Sequence, residues 1–86
     1  MENNIHKYFK DDKLIMIPKK QTVKLEIFSF FHNLFEENKS YTEQEINNII
    51  KKYYDDYAII RRYLVDYKFI ARDQFGQVYN KNCKKL

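Results

Sequence analysis

The sequence predicts a small α+β domain in which a pair of amphipathic helices precedes a β-hairpin. Between Thr42 and Lys68, hydrophobic residues recur every three or four positions, and a short acidic break divides this stretch into two helices. After Lys68 the pattern changes, and FIARDQFGQVYN has the residue types of two strands joined by a turn. This order predicts a winged helix-turn-helix with three to four helices and a C-terminal hairpin as its wing.

Composition and length predict one compact domain over residues 1–86. Hydrophobic residues make up 44% of the chain, which contains one Gly and one Pro, and these values argue against a disordered segment. The net charge of +4 permits a polyanionic partner without requiring one. No apolar run reaches the roughly 20 residues that span a membrane, and the N-terminus lacks the layout of a signal peptide. We therefore expect a cytoplasmic protein that has no membrane partner.

Metal-binding and catalytic motifs are missing from the sequence. Cys83 is the single cysteine, and His6 and His32 are far apart with no thiolate partner, so we expect no metal. The chain also lacks a glycine-rich phosphate loop, an HExxH motif and a nucleophile paired with a histidine base. We expect no cofactor and no enzymatic activity.

The first half of the chain predicts three elements. Within residues 1–20, ENNIHKYF places apolar residues on one face of a short helix. Residues 14–17 form a short apolar run that predicts a strand, and Pro18 ends this strand because proline has no N–H for the ladder. Residues 21–37 carry apolar side chains on more than one side of a helix, which predicts a central, widely buried helix. His32 on this helix is interpreted as a packing residue. The following ENKS is expected to be a simple connection.

The helix pair is predicted over residues 42–68. Thr42 and Glu45 have the spacing of a capping box, in which the side chain of each residue binds the backbone N–H of the other. Asp55 or Asp56 can cap the second helix. The hairpin follows over residues 69–80, with the single glycine of the chain in its turn.

Four blocks of the sequence resemble a known family. KLIMIPKK, YTEQEIN, DDYAIIRRYLVDYKFIARD and GQVY are similar to blocks of the domain-of-unknown-function family numbered two thousand and eighty-seven, and they extend from Lys13 to Tyr79. The resemblance implies a small winged-helix domain, because members look like such domains and some are attached to helix-turn-helix transcriptional regulators. It implies no established activity. At 86 residues the chain is expected to be too short for an additional DNA-binding domain.

Basic residues of the second helix and the hairpin are the candidate nucleic-acid contacts. In a helix-turn-helix the second helix lies in the major groove, where arginines bind guanine or phosphate. The candidates for double-stranded DNA are Arg61, Arg62, Lys68, Arg72 and Lys81. A structural alternative is open: Arg62 pairs with Asp66 one turn later, and Arg61 pairs with Asp55 or Asp56.

Two further features have open interpretations. Lys19, Lys20 and Lys24 form a basic patch at the start of the central helix, where positive charge is unfavourable, and they serve either anion binding or solvation. Phe75, beside Gly76 in the hairpin turn, either contacts a partner or folds back onto its own sheet. The leading hypothesis is a DNA-binding, transcription-associated module. The alternative is a protein-interaction domain of the same shape, with a protein partner or a homodimer.

Overall fold

A computed structural model describes residues 7–82 of the chain. Within these residues it contains three helices and five short strands. In chain order they are β1 (Phe9–Lys10), β2 (Lys13–Leu14), α1 (Gln21–His32), β3 (Ser40–Thr42), α2 (Glu43–Lys51), α3 (Tyr57–Asp66), β4 (Ile70–Arg72) and β5 (Val78–Lys81). The predicted α+β class is confirmed.

The larger sheet is antiparallel, with β5 between β3 and β4. Tyr79 in β5 lies opposite Tyr41 on one side and Arg72 on the other. Side chains of directly paired residues point to the same face of a sheet, so these three share a face. Tyr41 and Tyr79 are buried. The face of the sheet that carries Tyr41 and Tyr79 therefore packs on the helices, and we call it the inner face. Arg72 lies at the end of this face.

Strand β3 lies where the sequence predicted a simple connection and the start of a helix. Its three residues are too few to show an alternating pattern of their own, and they become a strand by pairing with β5. The Tyr41 ring packs edge-on against Phe35 at 5.5 Å between centroids. The Tyr41 hydroxyl accepts a hydrogen bond of 2.8 Å from the backbone N–H of Glu36. Tertiary contacts thus created an element that local sequence did not indicate.

Helix α1 ends at His32, whereas the apolar pattern predicted a helix to residue 37. The backbone N–H groups of Leu34 and Phe35 bond to the carbonyls three residues earlier, so the helix ends in a tighter turn. The chain then turns at Asn38, whose φ of 61° lies in the left-handed region. The apolar spacing continues past the helix because Phe35 is buried in the core next to β3.

The N-terminal segment differs from the predicted helix and strand. Residues 1–6 of the predicted N-terminal helix lie outside the described residues, and Phe9 belongs to a strand rather than to that helix. A tight turn at Asp11 and Asp12, both with positive φ, joins β1 to β2. The sequence predicts a strand over residues 14–17, whereas β2 ends at Leu14. Ile15, the next residue, is 55% exposed.

The core forms around α1. Ile27, Phe28 and Phe31 are fully buried. The Phe28 ring stacks on Tyr63 of α3 with 5.1 Å between centroids. His32 is buried, and its Nε2–H donates to the carbonyl of Asn82. The prediction of a central, widely buried helix with a packing histidine is confirmed.

Both predicted helix caps are present. The Thr42 hydroxyl accepts from the N–H of Glu45 at 3.1 Å, and the Glu45 carboxylate accepts from the N–H of Thr42 at 2.8 Å. Asp56 caps α3 by accepting from the N–H of Ile59 at 3.4 Å. Of the two predicted candidates, Asp56 therefore serves as the cap. Ile59, whose N–H it binds, is 36% exposed.

Removal of the capping box should destabilise the fold by a moderate amount. For Thr42→Ala we expect a loss of about 1 kcal/mol in the free energy of unfolding, because the backbone N–H of Glu45 loses the hydroxyl that accepts its hydrogen bond. Urea denaturation followed by circular dichroism measures this loss. Thr22→Ala, at an exposed site in the first turn of α1 with no capping role, is the matched control. Equal stability of the two variants would contradict the role of the box.

Candidate nucleic-acid interface

A shallow pocket of about 410 Å³ opens between α2, α3 and the β4–β5 hairpin. We call it the arginine pocket. Its lining residues are Glu43, Arg61, Arg62, Val65, Asp66, Arg72 and Tyr79. The chain has 16 Lys and Arg residues, of which only three are arginine, and all three arginines line this pocket. A chain that otherwise uses lysine thus concentrates its guanidinium groups at one place.

Arg61 is half-buried on the side of α3 that faces α2. Its Nη1 donates a hydrogen bond to Oδ1 of Asn47. The sequence suggested Asp55 or Asp56 as its partner, and this was wrong. Asp55 lies 3.7 Å from the ammonium of Lys13, and Asp56 is occupied by the helix cap.

Arg62 lies on the solvent side of α3. Its Nε is 3.9 Å from Oδ2 of Asp66, as the spacing predicted. The two side chains are 83% and 57% exposed, so this ion pair contributes little to stability. The contact uses one edge of the guanidinium, and the remaining N–H groups face solvent or the pocket.

Arg72 reaches the pocket from β4 across Gly76. A methyl group added at Gly76 would lie 2.9 Å from Nη1 of Arg72, which is closer than such contacts allow. Gly76 also has a φ of 68°, in the left-handed region that favours glycine. The glycine is therefore needed for the turn, and it leaves room for the Arg72 guanidinium.

Tyr79 and Glu43 form the floor of the pocket. The Tyr79 hydroxyl donates to Oε1 of Glu43 at 3.0 Å. Burial is the main cause that raises the pKa of Tyr79, and the hydrogen bond and the charge of Glu43 raise it further, while Arg61 and Arg72 act in the opposite direction. Tyr79 therefore remains protonated at neutral pH and holds the Glu43 carboxylate in place.

Charges of both signs line the pocket. Three guanidinium groups face two carboxylates, those of Glu43 and Asp66, which leaves an excess of one positive charge. Sequence reasoning found the arginines but did not select Glu43 or Tyr79 as site residues. Tyr79 joins the site through its register opposite Arg72, which a known hairpin register would have indicated.

A protein-family model matches most of this chain. A family model described as an uncharacterized protein conserved in bacteria (DUF2087) matches residues 13–81. The chain belongs to the DUF2087 family. The match confirms the resemblance in the sequence and includes every residue of the arginine pocket. No curated protein and no solved structure matches the chain.

The remaining basic candidates of this DUF2087 chain lie outside the arginine pocket. Lys81 donates from its ammonium to the carbonyl of Phe35 at 3.0 Å, because its position in β5 directs it to the inner face. Lys68 follows the end of α3 with a φ of 65°. There the N–H groups of Lys68 and Phe69 bond back to the last turn of α3, in the Schellman pattern.

The lysine patch lies at the start of α1. Lys20 is the N-terminal cap residue but makes no side-chain capping bond, and the first turn contains no acidic residue. Lys19 and Lys20 are exposed. The Lys24 ammonium lies 5.4 Å from the centroid of the Tyr63 ring, a cation–π contact with α3. Lys24 is therefore held against α3, whereas Lys19 and Lys20 are exposed at the surface.

The hairpin turn is held by Asp73. Its Oδ1 accepts hydrogen bonds from the N–H groups of Gln77 at 2.7 Å and Val78 at 3.2 Å. The bond from Gln77, followed by that from Val78, lowers the pKa of the Asp73 carboxyl below its ordinary value. At the tip of the turn Phe75 is 72% exposed, so its ring does not fold back into the core.

The Asp73 contacts predict a pH dependence of stability. A lowered folded-state pKa means that the stabilising contribution is present above the unfolded-state pKa and is lost as the pH falls through the folded-state value. We expect wild type to be more stable than Asp73→Asn at pH 7, with the difference disappearing under strongly acidic conditions. Urea denaturation across pH measures it, with Asp12→Asn in the other exposed turn as the control. A pH-independent difference would contradict this role of Asp73.

The described part of the chain has neither a metal-binding cluster nor a helix that could span a membrane. Residues 7–82 contain no group of three or more His, Cys, Asp or Glu side chains placed to hold a metal ion. None of the helices in this range has the length and apolar character to cross a membrane. Cys83 and His6 lie outside the described residues.

Proposed function

We propose that the chain is a winged helix-turn-helix domain that binds double-stranded DNA through α3 and the β4–β5 hairpin, in a transcription-associated role. The order of α1, β3, α2, α3, β4 and β5, with β5 central in the sheet, supports the fold. In such domains the second helix of the pair lies in the major groove, and here that helix is α3. The role also agrees with the cytoplasmic location that we expect from the sequence.

The arginine pocket carries this proposal. A guanidinium group offers a planar fork of N–H donors that matches a phosphate or the guanine edge, whereas a lysine ammonium does not. Arg61 and Arg62 come from α3 and Arg72 from the hairpin, the two elements that would face DNA. Glu43 and Asp66 weaken the attraction to phosphate, so we expect moderate affinity that depends on geometry as well as charge.

Binding to a labelled mixed-sequence duplex across a salt series tests the proposal. Counterion release predicts a linear fall of log affinity with log salt concentration, with a slope of about −0.9 per phosphate contact. The Arg61→Ala/Arg62→Ala variant should bind more weakly with a shallower slope. Lys51→Ala/Lys52→Ala is the matched control, because it removes two charges at the exposed far end of α2.

The results separate the candidate functions. Micromolar binding that the arginine variant weakens and the lysine variant retains would support DNA contact through α3. Equal weakening by both variants would indicate non-specific attraction. No binding at low salt by a folded protein would overturn the proposal.

A protein-interaction role is the second candidate, and the exposed Phe75 favours it. Its ring is 72% exposed beside Val78, which is 41% exposed, at the hairpin. Exposed aromatic residues often anchor protein interfaces. A second copy of the chain is the simplest partner to test. Sedimentation of wild type and Phe75→Ser over a concentration range would show self-association that depends on Phe75, or a monomer in both, which would exclude a homodimer through this residue.

A further inference from the structure

The arginine pocket is a shallow, open depression of about 410 Å³, with room for a small polar ligand. Its walls come from three separate elements: α2 supplies Glu43, α3 supplies Arg61, and the hairpin supplies Arg72. A ligand would therefore be contacted from several directions, which a flat DNA-facing surface does not require.

The pocket contains charged groups of both signs, which can bind two different groups of one ligand. The guanidinium groups of Arg61, Arg62 and Arg72 can bind an anionic group with paired N–H donors. The carboxylates of Glu43 and Asp66 accept hydrogen bonds, and an ammonium group is their strongest partner. A ligand with an anionic end and an ammonium end would satisfy both sets.

The charge balance selects the anion. The five charged side chains sum to an excess of one positive charge. A phosphate carries about −1.5 to −2 charges at pH 7, so a phosphorylated amine is a zwitterion with a net charge near −1. A carboxylated amine is neutral and leaves the excess unmatched. We propose that the arginine pocket binds a small phosphorylated amine, with its phosphate on the arginines and its ammonium on Glu43 and Asp66.

Three of the five charged groups of the pocket, those of Glu43, Arg61 and Arg72, are already positioned in the free protein. The buried Tyr79 holds Glu43 by a hydrogen bond of 3.0 Å, and Asn47 holds Arg61. Gly76 leaves the space that Arg72 occupies. Groups that are fixed in advance lose less conformational entropy when a ligand binds.

This proposal goes beyond DNA binding and does not depend on it. The same arginines would contact DNA, so a bound phosphorylated amine would compete with it. The test is therefore done on the protein alone, and its failure would leave the DNA proposal untouched.

Nuclear magnetic resonance of the arginine Nε–H groups provides the test. The protein is titrated at constant ionic strength and pH 7 with four probes: phosphoethanolamine, inorganic phosphate, ethanolamine and β-alanine. Phosphoethanolamine carries both groups, phosphate and ethanolamine carry one each, and β-alanine replaces phosphate by carboxylate. We expect saturable shifts of the three arginine resonances with phosphoethanolamine.

The comparison of affinities decides the outcome. We expect phosphoethanolamine to bind about tenfold or more tightly than each single-group probe, since one charge-assisted hydrogen bond contributes at least that factor. Equal affinity for inorganic phosphate would overturn the role of the carboxylates, and equal affinity for β-alanine would overturn the choice of phosphate. Shifts that never saturate with phosphoethanolamine would overturn the site altogether.

Three variants connect the binding to the pocket. Glu43→Gln removes one charge and keeps the side-chain length, whereas Arg72→Gln removes one charge and the guanidinium fork. Each should weaken phosphoethanolamine binding about tenfold. Lys52→Gln removes an exposed charge at the far end of α2 and should leave binding unchanged. The backbone amide spectrum of each variant shows whether it is folded. Unchanged affinity in both pocket variants, when folded, would overturn the assignment.

Discussion

Phe28→Ala should cost about 3–5 kcal/mol of the free energy of unfolding, a large part of the 5–15 kcal/mol typical of small domains. Phe28 has no exposed surface and joins α1 to α3 and to the start of the sheet. Its ring lies 5.1 Å from Tyr63, 5.4 Å from Tyr67 and 6.3 Å from Phe69, measured between centroids. Truncation leaves a cavity between α1 and the end of α3, which these three large rings cannot easily fill.

Urea denaturation followed by far-ultraviolet circular dichroism measures this loss. Phe75→Ala is the matched control, because the same change removes a ring that is 72% exposed. We expect the control to change stability by less than about 0.5 kcal/mol, as surface substitutions usually do. Similar losses in the two variants would mean that the aromatic cluster around Phe28 does not support the fold.

Gly76→Ala should destabilise the protein by about 1–2 kcal/mol, because an L-residue with a Cβ is strained in the left-handed region. Gly76 has a φ of 68° there. The added methyl group would also meet Nη1 of Arg72 at 2.9 Å. This atom is the end of a flexible side chain, so we expect the guanidinium to move out of the arginine pocket at little cost in stability.

A double-mutant cycle with Arg72→Ala separates the two effects. Backbone strain alone predicts that Gly76→Ala costs the same in both backgrounds, with a coupling below about 0.5 kcal/mol. The Arg72 Nε–H resonance should shift in the single variant, reporting the displaced guanidinium. Coupling above about 1 kcal/mol would instead show that Arg72 cannot move away. Gln77→Ala, in the same turn but exposed, is the control.

Local sequence signals identified the elements that local interactions create. The capping box of Thr42 and Glu45 requires only residues three positions apart, and so do the Asp56 cap and the glycine turn. For the same reason the pairing of Arg62 with Asp66 could be predicted from the spacing of one helical turn.

Features that depend on distant partners could not be predicted. Strand β3 exists because β5 lies beside it, and α1 ends early because Phe35 packs into the core near β3. Arg61 bonds to Asn47 of the preceding helix rather than to an acid near its own helix start. The arginine pocket needed both the packing of α2 on α3 and the hairpin register, so its arginines were candidates while Glu43 and Tyr79 were not.

The pairing of β3 with β5 has a consequence for the order of folding. Ser40 and Asn80, which lie opposite each other, are 40 positions apart in the chain, with α2, α3 and β4 between them. Closing so long a loop is slow compared with forming helices. During synthesis the ribosome releases the helix pair before β5, so a nascent chain holds β3 without its neighbour. The arginine pocket, which needs Tyr79, can therefore be completed only in the final stage of folding.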